Sequence, residues 1–240
     1  MRAQSRATMD RLAAFLLAFA AGCGAPQPSV RGGFWFPDEG RVVDLTLRSG
    51  DGGGERATTI ATAMQDGSIG GTLDQIEPGR CIAPLVVVDV RARAVEAPEL
   101  VVEVADLVEQ EGRRGPIPSG AVVVLATGGA RRDVTARGTA PARTVHPGFS
   151  PAAVEYLVRE RGAIGLGTDA PALDASSAVR PEATRAAVAL HAYVLTNLGR
   201  LDQVPEGRAI VLLAPPAERL PSAAVRVLAL VERTVARGSR

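Results

Sequence analysis

Residues 84–90 read PLVVVDV and residues 121–127 read AVVVLAT, and these two runs decide the fold class. Both are of strand length and rich in β-branched residues, and neither alternates between apolar and polar side chains. This pattern is typical of strands that are covered on both faces. Further strands of the same kind are predicted at residues 42–47, 163–167, 209–214 and 224–231.

Helical patterns lie between these runs. Ser150 and Pro151 form an N-cap followed by proline at the first helical position, which predicts a helix beginning there. Two more helices are predicted, at residues 181–190 and at residues 104–112, the latter with Leu107 and Val108 inside a charged shell. Because strands and helices alternate without a repeat or an interior linker, the sequence predicts one α/β domain.

The composition excludes some classes of protein. The chain has 240 residues, with 27 basic and 26 acidic side chains and a net charge of +1, which argues against binding nucleic acid through a charged face. Hydrophobic residues make up 46% and charged residues 22%, so the chain is not disordered as a whole. Aromatic residues are only 3%, which predicts a core of aliphatic side chains.

The N-terminus has the pattern of an export signal. Arg2, Arg6 and Arg11 precede an apolar run at residues 12–21, and the run ends in the sequence AAGC, whose cysteine is Cys23. Ten apolar residues are too few to cross a bilayer, whereas a basic start, a short apolar run and small residues form a secretory signal. The AAGC sequence resembles a bacterial lipobox, which implies lipidation of Cys23.

We therefore expect residues 1–22 to be a lipoprotein signal peptide, residues 23–40 a tether, and residues 41–235 the folded domain. The expected location is the bacterial cell envelope, either the periplasm or the outer surface, with the lipid anchor as the sole membrane contact. Two alternatives remain open, a plain secreted protein and a buried first helix with an incidental cysteine.

The order of eight segments resembles that in the cyclase family, which includes bacterial kynurenine formamidase. The segments are RVVDLT (41–46), TLDQI (72–76), PLVVVDV (84–90), IPSGAVVVLATG (117–128), HPGFSPAAVEYL (146–157), GTDAPALD (167–174), TNLGRLDQVP (196–205) and VRVLAL (225–230). The resemblance implies an α/β fold around a mixed sheet or flattened barrel with flanking helices. It also implies a hydrolase of amides or lactams that uses zinc or manganese and is often oligomeric.

The metal motif of that family, H-x-G-T-H-x-D-x-P-x-H, falls on the sequence ERATTIATAMQ. Glu55 stands at the first His, Thr59 at the second, Ala61 at the Asp and Gln65 at the last His, and Thr58 alone is kept. Neutral imidazole and carboxylate groups bind the divalent cation that activates water, so these replacements remove the ligands.

A further His and a Glu of the family fall on Thr184 and Thr196. The whole chain has two histidines, His146 and His191, and neither is at a ligand position. Because a catalytic zinc needs three protein ligands, the sequence predicts no metal, no other cofactor and no catalytic residue of the family type.

Two functions follow from the resemblance. The first is an envelope lipoprotein that has lost hydrolysis and binds a small polar ligand or a protein partner, with no nucleic acid and with a possible homo-oligomer. The alternative is an active amide hydrolase of the kynurenine formamidase type with an unusual site, and a purely structural envelope protein also remains open. The first function predicts a neutral pocket at the former metal position, lined by Thr59, Gln65, Thr184 and Thr196, with Glu55 at its edge.

Two carboxylates of the GTDAPALD segment need a separate interpretation. Asp169 and Asp174 could act as an acid–base pair. Short carboxylates in loops more often accept hydrogen bonds from nearby backbone N–H groups, and we assign both to that structural role.

Overall fold

The structure is a computed structural model, and it describes residues 40–48, 57–129, 145–205 and 209–232. All of them belong to one compact unit, Asp38–Arg240. The predicted signal peptide, Cys23, nearly all of the tether and Glu55 lie outside the described residues. Within the described residues, no helix is long and apolar enough to cross a membrane.

The described residues form eleven strands. They are β1 (Arg41–Asp44), β2 (Thr59–Ala61), β3 (Ile82–Asp89), β4 (Val101–Val102), β5 (Val122–Ala126), β6 (Gly148–Phe149), β7 (Gly165–Thr168), β8 (Tyr193–Thr196), β9 (Ala209–Ala214), β10 (Ser222–Ala224) and β11 (Arg226–Val231). The six strands that the sequence predicts are all present, with bounds that differ by a few residues. Strands β2, β8 and β10 and the short pair β4–β6 were not predicted.

Four α-helices accompany the strands: α1 (Arg93–Glu96), α2 (Val104–Arg114), α3 (Pro151–Glu155) and α4 (Glu182–Ala189). A π-helical turn, Tyr156–Glu160, continues α3. The Ser150 hydroxyl accepts a hydrogen bond from the Ala153 N–H at 3.1 Å, as predicted for the N-cap.

Helix α2 corrects one prediction. Val108 is not a core residue, because its side chain is 51% exposed. The buried positions of this helix are Leu107 and Gln110, one turn apart, and the Gln110 amide donates to the Val87 carbonyl at 3.0 Å. A narrow buried stripe of this kind leaves the next residue in solvent.

Nine strands form one mixed sheet in the order β1-β11-β9-β3-β5-β7-β8-β2-β10. The central strands β3, β5, β7 and β8 are parallel, and the other pairs are antiparallel. Strands β4 and β6 form a separate parallel pair.

The sheet curls until its two ends meet. Strands β10 and β11 are separated only by Val225, whose N–H donates to the Thr58 carbonyl at 3.1 Å. One kinked segment therefore pairs with β2 at one end of the sheet and with β9 and β1 at the other. A bridge between Thr46 and Leu198 joins the same two ends. This is the flattened barrel with flanking helices that the resemblance implied.

The curled sheet separates two apolar cores. The inner core fills the barrel, and the outer core lies between the sheet and the helices. Side chains of β8 alternate between them, since Tyr193 and Leu195 lie in the inner core and Val194 lies in the outer core. This alternation fixes which face of β8 each polar residue occupies.

Candidate functional site

Thr59 and Thr196 meet where β2 pairs with β8. The two residues are directly opposite each other in the antiparallel register, and their Oγ1 atoms are 2.8 Å apart. Both residues are half-buried. Either hydroxyl can be the donor, and this single hydrogen bond uses one of the two hydroxyl hydrogens.

The pair faces the helices and not the barrel interior. Ile60 and Leu195, the neighbours of the two threonines, belong to the inner core. Because side chains alternate along a strand, Thr59 and Thr196 lie on the opposite face. Helix α4 packs on that face, where its buried Ala187 belongs to the outer core. The candidate site is therefore the region between the β2–β8 pair and α4.

Gln65 lies in an exposed turn that follows β2. Met64 and Ile69 flank this turn and pack against the outer core. Hydrogen bonds from Ser68 hold the pKa of the neighbouring Asp66 below its usual value, and the charge of Arg185 on α4 lowers it further. The turn that contains Gln65 is thus close enough to α4 for the charge of Arg185 to act on Asp66.

Thr184 lies in the first turn of α4. Its hydroxyl donates to Asp174 Oδ2 at 2.6 Å. The hydrogen bonds of the described residues join Thr59 to Thr196 and join neither Gln65 nor Thr184 to that pair. A single pocket lined by all four residues stays a prediction.

The residues at the family's metal positions do not fit a catalytic metal. Thr59 and Thr196 supply neutral hydroxyls that bond to each other, and Ala61 supplies a methyl group. Among the residues that the structure describes, no group of three or more His, Cys, Asp and Glu side chains could hold a metal ion. Zinc sites of this class use imidazole, thiolate or carboxylate ligands.

Thr58, which the motif retains, has a structural role. It is completely buried, and its hydroxyl bonds to three backbone groups in two other segments. It accepts from the Leu47 N–H at 2.7 Å and donates to the Asn197 carbonyl at 2.7 Å, with the Leu45 carbonyl at 3.4 Å. The hydroxyl therefore fastens β2 to the segments that close the barrel.

Asp169 joins the ends of two parallel strands. Its Oδ1 accepts from the Thr127 N–H at 2.8 Å and from the Thr127 hydroxyl at 2.7 Å, and its Oδ2 accepts from the Gly128 N–H at 2.8 Å. Burial raises the pKa of Asp169, and these three hydrogen bonds oppose the rise. Gly128 has φ of +73°, a conformation that favours glycine.

Asp174 caps helix α4 from a distance. Its Oδ1 accepts from the Ala183 N–H at 2.6 Å, and its Oδ2 accepts from the N–H and hydroxyl of Thr184 at 3.1 and 2.6 Å. Both carboxylates therefore hold backbone, in agreement with the structural role that we assigned to them. The donors of these hydrogen bonds lie in other segments of the chain and not in the same turn as the carboxylate. The sequence did not indicate these donors.

The two histidines lie away from the β2–β8 pair in the hydrogen-bond network. His146 is buried, and its Nδ1 bonds to the Pro147 carbonyl at 3.0 Å. His191 follows α4 with φ of +60°, and its carbonyl accepts from Arg80 at 2.7 Å.

A cavity of about 420 Å³ was missed by the sequence analysis. It lies beside the start of α4 and includes Phe149, Asp174, Arg180 and Glu182 among its lining residues. Its lining comes from three separate segments of the chain, so no local pattern marks it. The one sequence feature that marks this region is Pro181-Glu182, which we interpreted only as the start of a helix.

Comparisons with known proteins agree with the fold. The Cyclase family model matches residues 53–175. Isatin hydrolase of Roseibium aggregatum is 32% identical over 172 residues, which are 68% of this chain and 65% of that protein. The chain thus spans slightly less than two thirds of that relative.

Two solved structures are similar over most of this chain. Isatin hydrolase A from Ralstonia solanacearum has a TM-score of 0.68 at 27% identity, over 80% of this chain and 92% of that one. A structure described as a potential metal-dependent hydrolase with cyclase activity has a TM-score of 0.60 at 18% identity, over 81% and 99%. The second likeness is one of fold alone.

Proposed function

This chain belongs to the cyclase family, and from that premise we propose that it has lost metal-dependent hydrolysis and binds a small polar ligand or an envelope protein instead. The proposal rests on one observation, the hydrogen bond between the Thr59 and Thr196 hydroxyls at 2.8 Å. Thr59 stands at the second His of the family's metal motif, and Thr196 stands at a further functional position of the family. Two neutral hydroxyls that bond to each other neither attract a divalent cation nor activate water.

The loss of ligands also extends to Ala61 and Thr184, which stand at two further functional positions of the family. The methyl group of Ala61 has no donor atom, and the Thr184 hydroxyl is committed to Asp174 at 2.6 Å. A neutral, hydrogen-bonding region between the β2–β8 pair and α4 suits a polar molecule without a net charge. Such a molecule would take the place of water on the hydroxyl hydrogen that the single Thr59–Thr196 bond leaves unused.

Metal content and hydrolysis test this proposal together. We expect the full-length chain, dialysed against zinc or manganese and then against buffer, to retain far less than one metal per chain. We also expect no hydrolysis of isatin, which is the test substrate because two relatives are isatin hydrolases. The isatin hydrolase A from Ralstonia solanacearum is the positive control for both assays. Close to one metal per chain, or turnover of isatin, would overturn the loss of activity.

An active hydrolase is the second candidate function. The identity of 32% to an isatin hydrolase favours it. In that case the metal ligands would have to come from elsewhere than Thr59, Ala61, Thr184 and Thr196. The two assays above separate the candidates, because an active hydrolase must turn over an amide or lactam and the first candidate must not.

Attachment to the cell envelope is the remaining part of the proposal. The sequence AAGC before the mature domain supports lipidation of Cys23, and one acylated cysteine that carries several chains gives lasting attachment. Replacement of this residue, Cys23→Ser, is expected to release the protein from the membrane fraction or to stop its processing. Unchanged membrane attachment and processing of that variant would refute lipidation.

A further inference from the structure

The cavity beside α4 has an apolar floor and a charged rim. Its volume is about 420 Å³, within the range of small-molecule sites. Phe149 and Ala175 are buried in its floor, and Val101 is 36% exposed. Arg180 and Glu182 lie at its exposed rim.

The two residues that carry the rim charges stand on either side of a proline turn. Pro181, which separates them, has φ of −79° and ψ of 58°, and the Glu182 N–H donates to the Arg180 carbonyl at 2.9 Å. This is the geometry of an inverse γ-turn, which folds the chain back within three residues. The proline ring fixes φ, so the turn is present before any ligand arrives.

Within the ranges that the structure describes, Arg180 and Glu182 form no ion pair with each other or with another side chain. The third charge of the cavity, Asp174, differs from them, because its carboxylate accepts three hydrogen bonds from Ala183 and Thr184 of α4. Among the described residues, the cavity therefore has an unpaired cation and an unpaired anion at its rim, above an apolar floor.

We propose that this cavity binds the zwitterion of an apolar α-amino acid, with its carboxylate on Arg180, its ammonium group on Glu182 and its side chain on Phe149. A zwitterion carries its two opposite charges on adjacent groups, which matches two opposite charges on either side of one residue. An arginine binds a carboxylate through two parallel N–H donors. The apolar side chain then covers the floor and removes its surface from water.

The cavity adjoins Thr184, because Asp174 lines it and accepts from the Thr184 hydroxyl. Thr59, Gln65, Thr184 and Thr196 do not line the cavity. The inference goes beyond the function proposed above and does not depend on the loss of metal chemistry. Metal content therefore tests the loss of metal chemistry, and amino-acid binding tests the inference about this cavity.

Calorimetric titration of the full-length chain with L-phenylalanine tests the proposal, up to about 10 mM ligand. We expect saturable binding of L-phenylalanine. Phenylalanine amide lacks the carboxylate and N-acetylphenylalanine lacks the ammonium group, and each is expected to bind about tenfold more weakly or worse. An N-terminal peptide residue, which also lacks the free carboxylate, would behave like the amide.

Variants of the cavity residues test whether L-phenylalanine binds in the cavity. Arg180→Gln and Glu182→Gln are each expected to weaken L-phenylalanine binding about tenfold, and Ala178→Leu is expected to block the cavity. Arg159→Gln, on the π-helical turn and outside the cavity lining, is the matched control and should bind like the parent chain. Absence of binding by the parent chain would overturn the proposal. So would equal binding of the amide or the N-acetyl compound, or binding that Arg180→Gln and Ala178→Leu leave unchanged.

Discussion

The loop after β7 keeps the two carboxylates by which it resembles the cyclase pattern, whereas the β2–β8 pair has hydroxyls at two functional positions of that pattern. Asp169 and Asp174 each accept three hydrogen bonds, and four of these six come from backbone N–H groups. Thr59 and Thr196 bond to each other and to no backbone donor through their side chains. The two carboxylates thus hold backbone N–H groups of the fold, whereas the two hydroxyls hold only each other among the described residues.

This difference is physical as well as historical. A buried backbone N–H group without an acceptor destabilises the fold by about 1–3 kcal/mol, so Asp169 and Asp174 cannot be exchanged freely. A metal ligand that no longer binds metal has no such constraint, provided that its replacement finds a partner. The Thr59–Thr196 hydrogen bond is that partner.

The largest expected effect is that of Asp169→Ala. The change removes the acceptor of two backbone N–H groups and one hydroxyl at a residue that is only 7% exposed. We expect a loss of about 3 kcal/mol in the free energy of unfolding, measured by urea denaturation. Asp66→Ala is the matched control, because the exposed Asp66 accepts from the Ser68 N–H in the same type of loop. Equal losses for both variants would contradict the structural role of Asp169.

A smaller effect is expected for Asp174→Ala. The first turn of α4 would lose the acceptor of the Ala183 and Thr184 N–H groups, at a cost of about 2 kcal/mol. Amide hydrogen exchange at these two residues should accelerate more than exchange in the central strands. Asp174→Asn keeps one acceptor oxygen and should lose less, and a loss equal to that of the alanine variant would show that charge and not acceptance matters.

A third carboxylate, Glu111, lies outside the motifs discussed above and also joins two parts of the fold. It accepts from Arg161 Nε at 2.6 Å, from the Tyr156 hydroxyl at 2.6 Å and from the Ile117 N–H at 2.9 Å, and so joins α2 to the π-helical turn. The Arg161 hydrogen bond is the main reason why the pKa of Glu111 falls to about 2. A carboxylate with a lowered pKa stabilises the fold above its unfolded pKa, and this contribution is lost as the pH falls towards 2.

Glu111→Gln should therefore be less stable than the parent chain by about 1–2 kcal/mol at neutral pH, since Arg161 is partly exposed and solvent weakens the pair. Urea midpoints of the two chains should converge as the pH falls from about 5 to about 2. A difference that stays constant over this range would mean that the charge of Glu111 contributes nothing.

The same comparison shows which parts of the structure could be predicted from the sequence. The central strands were predictable because β3 and β5 are continuous runs of β-branched residues that need no context to be recognised. Strands β2 and β8 were missed, because each has only three or four residues and is extended through its pairing with neighbouring strands. Thr59 and Thr196 are 137 positions apart, and only the family resemblance suggested that they meet.

The structural role of Asp169 was predictable from its type, but its partners were not. Its acceptors serve Thr127, which is 42 positions away, so the bond depends on the parallel register of β5 and β7. The cavity beside α4 was beyond reach for the same reason, since its floor and rim come from separate segments. Local signals found helix caps and buried strands, and long-range packing determined the sites.

The smallest expected effect belongs to the Thr59–Thr196 pair itself. A single hydrogen bond between two half-buried neutral hydroxyls contributes about 1 kcal/mol, and a double-mutant cycle of Thr59→Val and Thr196→Val should return a coupling of about that size. A ligand that binds only the folded state raises the unfolding midpoint, so zinc offers a sharper test of the same pair. We expect added zinc to leave the thermal midpoint unchanged in both the parent chain and the double variant. A rise in the parent chain that the double variant loses would mean that the two hydroxyls still contribute to a metal site, and the contrast between the two regions would fail.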